Sequence, residues 1–406
     1  MKILMVNKFH YIKGGSETYY FALKRLLEEK GHTVVDFSME DEKNFPCQYK
    51  DYFVRNTDYS NSPGIREKLR VAANIIYSRE AKKKFRQLVM DTKPDLVHLH
   101  IFQHQLSPSI LDVCREFQIP TVYTAHDLKM VCLNYKMMHH GHLCEDCQGG
   151  KYYHCAKNRC VKASFFKSCI NVAEGYLHKF RRSYDAIHTV ITPSAFYKQK
   201  MQQFGVEADR LVHIPNFLDK AAPAVNLRDD KEQYYLYFGR LSEEKGVLTL
   251  IKAFENTGRN LYIVGSGPIR DQLEAYLSKG DFPNIRLFGF LQGTELTDIV
   301  GNAKAVILPS EWYENGPYSA IEALQLGRPI LGSQIGGIPE LVDGNGYLFP
   351  HGDADALRQT VDRMEDLDEN AYRALQQASL ELFEKQYTQA AHYPRLMEVY
   401  RKAMES

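Results

Sequence analysis

The apolar runs of this chain come in two series, and that repetition restricts the fold more than any single motif. KILMVN, TVVDFS, LVHLH, TVYTAH, TVITPS and LVHIPN occupy the first half; YYLYFG, LYIVG, IRLFG, AVILPS, PILGS and GYLFP occupy the second. Each run is short and apolar, many are rich in Val and Ile, and they alternate with stretches of helical periodicity, the pattern of parallel strands buried between helices. Two doubly wound, Rossmann-like α/β domains are therefore expected, over residues 1–216 and 217–386. Between them NFLDKAAPAVNLRDDKEQ loses periodicity and reads as a hinge, with a boundary near Asn216 to Asp219. A last helix, AHYPRLMEVYRKAM, follows no further strand and falls within 387–406. A length of 406 residues also exceeds the size at which single cores stop growing.

With 44% hydrophobic and 25% charged residues, the composition is that of a soluble globular protein. No apolar run reaches the length that spans a bilayer, and MKILMVNKF turns polar too soon for a secretory leader, so a cytoplasmic location is expected. The net charge of +1 conceals an asymmetry: residues 1–216 hold 32 Lys and Arg against 22 Asp and Glu, the remainder 19 against 28. A basic half points to a membrane surface or a phosphate-bearing substrate rather than a nucleic acid, or simply to solvated lysines. The excess is densest over Lys151 to Lys200, where HKFRRSYD could lie on an anionic surface.

Two doubly wound domains in tandem hold ligands in the cleft at the carboxyl ends of their strands, so the residues just after each strand matter most. After the first strand, Gly14 and Gly15 precede a helix with Ser16 as N-cap, and bare backbone there suits an anion as well as a simple turn. After the fourth, His126 offers a hydrogen bond to a sugar hydroxyl or phosphate, or serves as a structural histidine. In YLYFGRLSEEKG, Arg240 and Lys245 straddle a strand-to-helix turn; they suit a diphosphate, the alternative being surface pairs with Glu243 and Glu244. Gly265 and Gly267 in YIVGSGP let backbone approach a ligand.

SEWYENGPYSAIEALQLGRPI follows the strand AVILPS. Its helix is expected to start at Pro317 and stop at Leu326, before Gly327. The free N–H groups near Gly316 to Tyr318 form a positive pole. Glu314 then precedes the pole and Glu322 lies within the helix. Two carboxylates flanking a phosphate-binding helix end match a molecule with hydroxyls on both sides of a diphosphate, a nucleotide sugar, the alternative being two surface glutamates.

These motifs together resemble the family 4 retaining glycosyltransferases of the GT-B fold, over nearly the whole chain: the Gly-Gly loop, His126, FGRLSEEKG, VGSGP, ENGPYSAIE and GGIPELVDGNGYLFP. The resemblance implies that Gly14 and Gly15 line the donor diphosphate and that Arg240 and Lys245 neutralise it. By the same resemblance Glu314 holds the donor sugar and Glu322 the ribose. Gly265, Gly267, Asn315, Gly316, Pro317 and Tyr318 complete the donor site, and His126 binds the sugar or phosphate side of the transition state. It further implies a UDP- or GDP-sugar donor, retention of anomeric configuration, no catalytic metal, cleft closure that expels water, and a final helix returning to the first domain. One departure is Pro317, which removes an N–H from the phosphate site.

Six of eight cysteines lie between Cys132 and Cys169, in an insertion at 130–170. Cys144 and Cys147 form a metal knuckle, Cys155 and Cys160 follow, and Cys132 is a fifth candidate. A structural zinc site, an iron–sulfur cluster, and free or redox thiols are the open readings, with zinc favoured in a reducing compartment. Similar insertions in bacterial polysaccharide glycosyltransferases imply Cys132, Cys144, Cys147 and Cys160 as ligands, with Cys155 as substitute. The insertion and the basic segment after it are expected to shape the acceptor site, for a glycan or lipid-linked glycan, and to touch the membrane. Competing readings are a nucleotide-sugar epimerase and a non-catalytic zinc-containing scaffold.

Overall fold

Every one of the twelve apolar runs is a strand. The computed structural model describes residues 1–56, 65–222, 224–226 and 233–405, and residues 65–70 by their backbone alone. The chain divides into a first unit, Met1–Ile214 with Tyr393–Ser406, and a second, Pro215–His392.

In the first unit, β1 (Lys2–Val6), β2 (Thr33–Phe37), β3 (Leu96–Leu99), β4 (Thr121–Thr124), β7 (Thr189–Thr192) and β8 (Leu211–His213) form one parallel sheet in the order β2-β1-β3-β4-β7-β8. A two-residue hairpin, β5 (Met138–His139) and β6 (His142–Leu143), stands apart inside the cysteine-rich insertion. β3 and β4 are wholly buried and β1 nearly so, which is why they read as continuous apolar runs. Strand order reverses between β1 and β3, the point where an open sheet leaves a crevice at its carboxyl edge.

The second unit repeats the design with β9 (Tyr234–Phe238), β10 (Asn260–Val264), β11 (Ile285–Leu287), β12 (Ala305–Leu308), β13 (Ile330–Ser333) and β14 (Gly346–Phe349), all parallel, in the order β11-β10-β9-β12-β13-β14. This is the Rossmann order, with its reversal between β9 and β12. Leu250, Ile251, Leu261, Ile263, Ile307 and Leu331 form a core between sheet and helices; each such side chain contributes about 1.5–3 kcal/mol by leaving water.

Two expectations shift here. The chain passes from one unit to the other at Ile214–Pro215, and the stretch read as a hinge is tied down where it begins: Phe217 is buried against the His392 ring at 4.3 Å, and the Leu218 N–H donates to the Tyr387 carbonyl at 2.9 Å. Residues 223 and 227–232 of that stretch lie outside the described residues. The last helix, Gln389–Glu405, starts later than 387 and belongs to the second unit through His392, whose Nδ1 bonds the Pro215 carbonyl at 3.0 Å. From Tyr393 onward it packs in the first unit, where the Tyr393 hydroxyl meets His32 Nε2 at 2.9 Å and the Tyr400 hydroxyl meets His98 Nδ1 at 2.7 Å.

Candidate active site

At the carboxyl edge of the second sheet, the loop after β12 carries Glu314 into a buried position, 5% exposed. Its Oε1 accepts from the Ser310 hydroxyl at 2.6 Å and from Lys245 Nζ at 2.6 Å. Its carbonyl accepts from the Gly337 N–H at 2.7 Å. Gly336 has φ +60° and lies so close that any Cβ there would run into the Glu314 backbone. Glu314 is thus fixed by side chain and backbone together. Lys245 ends the short turn Glu243–Lys245 after β9, with its ammonium 5.4 Å from the Trp312 ring centroid. Its carboxylate partner is therefore Glu314, 69 residues away, and not the neighbouring Glu243 or Glu244.

Arg240 lies earlier in the same loop. Its carbonyl accepts from the Tyr237 hydroxyl at 2.7 Å, and its guanidinium is exposed with no ion-pair partner among the described residues. Gly265 and Gly267 face this turn: Cβ atoms there would collide with the carbonyls of Gly239 and Leu241. The Leu241 N–H donates to the Ser266 carbonyl at 2.9 Å, so the two glycines hold the loops after β9 and β10 in backbone contact. In the structure they position Arg240, which accounts for them without a ligand.

The helix after Glu314 runs from Tyr318 to Gln325, one residue shorter at each end than expected, with Pro317 as N-cap in extended conformation at φ −67°. The N–H that proline lacks therefore falls outside the first-turn donors, and the helix pole keeps its strength. Asn315 and Gly316 complete the loop, and Asn216 Nδ2 donates to the Gly316 carbonyl at 2.9 Å. Glu322 is partly buried and its carboxylate has no partner among the described residues; burial pushes it up to about 7. A carboxyl so placed favours any ligand that donates hydroxyls to it.

In the first unit, Gly14 rather than Ser16 is the N-cap of the helix Gly15–Glu29. Helix formation begins one residue before Ser16, which leaves its hydroxyl to bond Glu17 Oε1 at 3.0 Å. Asn7 links the loops after β1 and β3, accepting from the Ile101 N–H at 3.1 Å and donating to Glu17 at 3.4 Å. His126, just past β4, stacks on His100 with ring centroids 5.3 Å apart and its Nε2 3.1 Å from His100 Nδ1, while Tyr19 packs edge-on at 5.1 Å. Burial holds His126 down to about 3, so it acts as a neutral imidazole at physiological pH. His98 adjoins His100 at 4.4 Å and is bonded to the Thr124 hydroxyl at 2.8 Å. His98 and His100 escaped the sequence reading, although their spacing of two in LVHLH places both on one face of β3.

Cys132, Cys144, Cys147, Cys155 and Cys160 line one narrow cavity of about 10 Å³, roughly the room of a single water-sized body. Burial pushes the Cys132 and Cys147 thiols up, to about 11 and about 12, with neighbouring sulfurs adding to both. That crowding of thiols suits a divalent cation, which stabilises thiolates. The sulfurs do not all lie within 4.8 Å of one another; within the insertion, the grouping that does is His139, Cys144 and Asp146. His139 and Asp146 were also absent from the expected ligands. No helix among the described residues is long and apolar enough to cross a membrane.

Residues 219–380 match the model for glycosyl transferases group 1. The amylovoran biosynthesis glycosyltransferase AmsK of Erwinia amylovora is 27% identical over 214 residues, 48% of this chain and 51% of that one. The chain spans about half the length of the first curated relatives it matches. Among solved structures, the sucrose-phosphate synthase of Thermosynechococcus elongatus superposes with a TM-score of 0.71 at 20% identity, covering 100% of this chain and 99% of that one. Anabaena Alr3699/HepE in complex with UDP and glucose gives 0.68 at 16% identity, covering 99% and 100%. These two likenesses show the GT-B fold. Residues 13–222, over half of the chain, match the model for glycosyltransferase family 4, and the chain belongs to that family.

Proposed function

We propose that the protein is a retaining glycosyltransferase that moves a hexose from a nucleoside-diphosphate sugar to a hydroxyl of a growing surface polysaccharide, the acceptor being carried on a lipid. The observation that carries this reading is the Lys245–Glu314 pair, together with the exposed Arg240 and with Glu322, whose carboxylate has no partner among the described residues. Glu314 accepts hydrogen bonds from the donor sugar, Glu322 from the ribose. When the bond from the anomeric carbon to the diphosphate breaks, charge grows on the departing oxygen; Arg240, Lys245 and the start of the helix Tyr318–Gln325 stabilise it. Each charge-assisted contact contributes roughly 1.5–3 kcal/mol. The acceptor oxygen bonds the anomeric carbon on the same face, and its proton passes to the leaving diphosphate. His126, neutral, is assigned a hydrogen bond to the sugar or phosphate. UDP is the favoured nucleotide, since HepE is described with UDP and with UDP-glucose. The polysaccharide assignment follows the amylovoran enzyme and a putative colanic acid glycosyltransferase of Escherichia coli.

A panel of UDP- and GDP-sugars tested by thermal shift and slow donor hydrolysis decides the matter. One donor should stabilise the wild type, and Lys245→Ala and Glu322→Ala should abolish the shift. Absence of binding by every sugar nucleotide would instead favour a non-catalytic scaffold.

Structural zinc belongs to the same proposal, held by Cys132, Cys144, Cys147 and Cys160, with Cys155 able to substitute. Bound there, it would order the insertion and take no part in the reaction. Protein purified without chelator should carry one zinc per chain, and the Cys144→Ser/Cys147→Ser variant none. Metal-free wild-type protein of undiminished stability would dismiss it.

A further inference from the structure

We propose that the outward face of the helix Phe165–Phe180 docks on an anionic lipid bilayer. The helix is amphipathic in the reverse of the usual sense. Its buried side carries Ser168, Asn171, Glu174 and His178, whereas Phe165, Phe166, Tyr176 and Phe180 are 59%, 58%, 40% and 89% exposed. At 100° per residue these four aromatics, with Cys169 and Ala173 between them, fall on one side, opposite the polar set.

The inversion is fixed by hydrogen bonding rather than by weak packing. The Ser168 hydroxyl accepts from the Val161 N–H at 3.1 Å, Asn171 Nδ2 donates to the Leu133 carbonyl at 3.0 Å, and Glu174 accepts from buried Lys129 at 2.9 Å. His178 meets the Ser183 hydroxyl at 2.9 Å and the Ile76 carbonyl at 2.7 Å. Rolling the helix over to bury the aromatics would break all of these contacts, so the apolar stripe stays outside.

Charge selects the occupant. Lys157, Arg159, Lys162 and Lys167 are exposed near the start of the helix with no acidic partner among the described residues. Lys179, Arg181 and Arg182 are exposed at its end. Of the two acids between Lys151 and Lys200, Glu174 is buried on Lys129 and Asp185 pairs with Arg182 at 2.5 Å, while Arg181 pairs with Asp112 at 2.9 Å, which leaves Lys179 and the four cations at the helix start as the surplus charge. The accessible surface is therefore cationic around an aromatic strip about 24 Å long. Aromatic rings at the headgroup level with ammonium groups reaching lipid phosphates form an interfacial, non-spanning helix. Each basic group near the surface raises binding roughly fivefold. This inference stands on the helix alone and does not depend on the reaction proposed above.

The test is flotation of the full chain with phosphatidylcholine vesicles with and without phosphatidylglycerol. The wild type should float with the anionic vesicles only, and less as salt rises. Phe166→Ser/Phe180→Ser and, separately, Lys162→Glu/Lys167→Glu should each lower partitioning at least about tenfold. Melting temperature and donor hydrolysis in lipid-free buffer should stay unchanged, since all four side chains are exposed. Failure of the wild type to float, or flotation of either variant equal to that of the wild type, overturns the proposal. So does a lipid-free dimer that Phe166→Ser/Phe180→Ser dissociates, which would make the face a contact between copies of this chain.

Discussion

Replacing Glu322 with glutamine should make the protein more stable at neutral pH and above while weakening nucleotide-sugar binding. Burial without a partner pushes this carboxyl from 4.5 to about 7. The folded form then holds the proton more tightly than the unfolded chain, so Glu322 has no pH-dependent effect below about pH 4.5. Its effect turns unfavourable as pH rises toward 7, and the full penalty remains above that. A displacement of that size corresponds to about 3 kcal/mol, and the side chain's remaining contact with water brings the expected figure down to about 1–2 kcal/mol. Urea unfolding followed from pH 4.5 to 8 should show the wild type losing that much relative to Glu322→Gln, with the two nearly equal at the acid end. Ribose hydroxyls donating to Glu322 favour its ionised form. UDP binding at pH 7 should therefore release up to about half a proton in the wild type and none in the variant, as read by calorimetry in buffers of different ionisation enthalpy. Parallel stability profiles for the two proteins, or equal UDP affinity, would refute the reasoning.

Lys245→Ala strands the buried Glu314 carboxylate and removes a diphosphate contact; UDP affinity should fall about 10–100-fold by calorimetry, and an unchanged affinity excludes Lys245 from the site. Arg240→Gln should slow UDP association and flatten its dependence on salt in stopped-flow measurements, with little change in melting temperature. Gly336→Ala forces a left-handed alanine, about 1–2 kcal/mol from the backbone alone, and pushes on Glu314; donor hydrolysis should drop while the melting temperature falls, and a fully active variant would show that Glu314 tolerates displacement. Tyr400→Phe removes the hydroxyl bonded to His98, at about 1–3 kcal/mol; urea unfolding of the first unit detects it, and wild-type stability would mean that the last helix is not anchored there.

Strands were legible because burial on both faces leaves continuous Val and Ile runs, a signal independent of what packs on them. The hairpin at Met138–Leu143 left none, since two-residue strands have no period. Residue order also told which side chains follow each strand, and hence that Lys245 and Glu314 belong to carboxyl-edge loops. It did not tell that they meet, because a pairing 69 residues apart depends on β9 and β12 being neighbours across the reversal in strand order. The reading of Ser16 as N-cap failed by two residues because a glycine also caps well when its backbone is extended, as Gly14 is. Near the cysteines, residue type pointed to the thiols but not to His139 and Asp146, which the turn brings beside Cys144.

The pairing of Lys245 with Glu314 changes how the two cations of the second unit divide their work. The diphosphate of the proposed donor would not meet two bare positive charges. Lys245 and Glu314 are held at 2.6 Å and partly out of water, and together they are neutral at a distance. Within the second unit, long-range attraction for the proposed donor would come from Arg240, exposed on the turn that Gly265 and Gly267 support, together with the helix pole. Lys245 acts at short range. A carboxylate that already neutralises it weakens its hold on a resting diphosphate. In the reaction proposed above, as sugar hydroxyls took up part of Glu314's hydrogen-bonding capacity and charge built on the leaving oxygen, the ammonium would be drawn toward the phosphate. An interaction that strengthens along the reaction in this way lowers the barrier rather than only tightening binding.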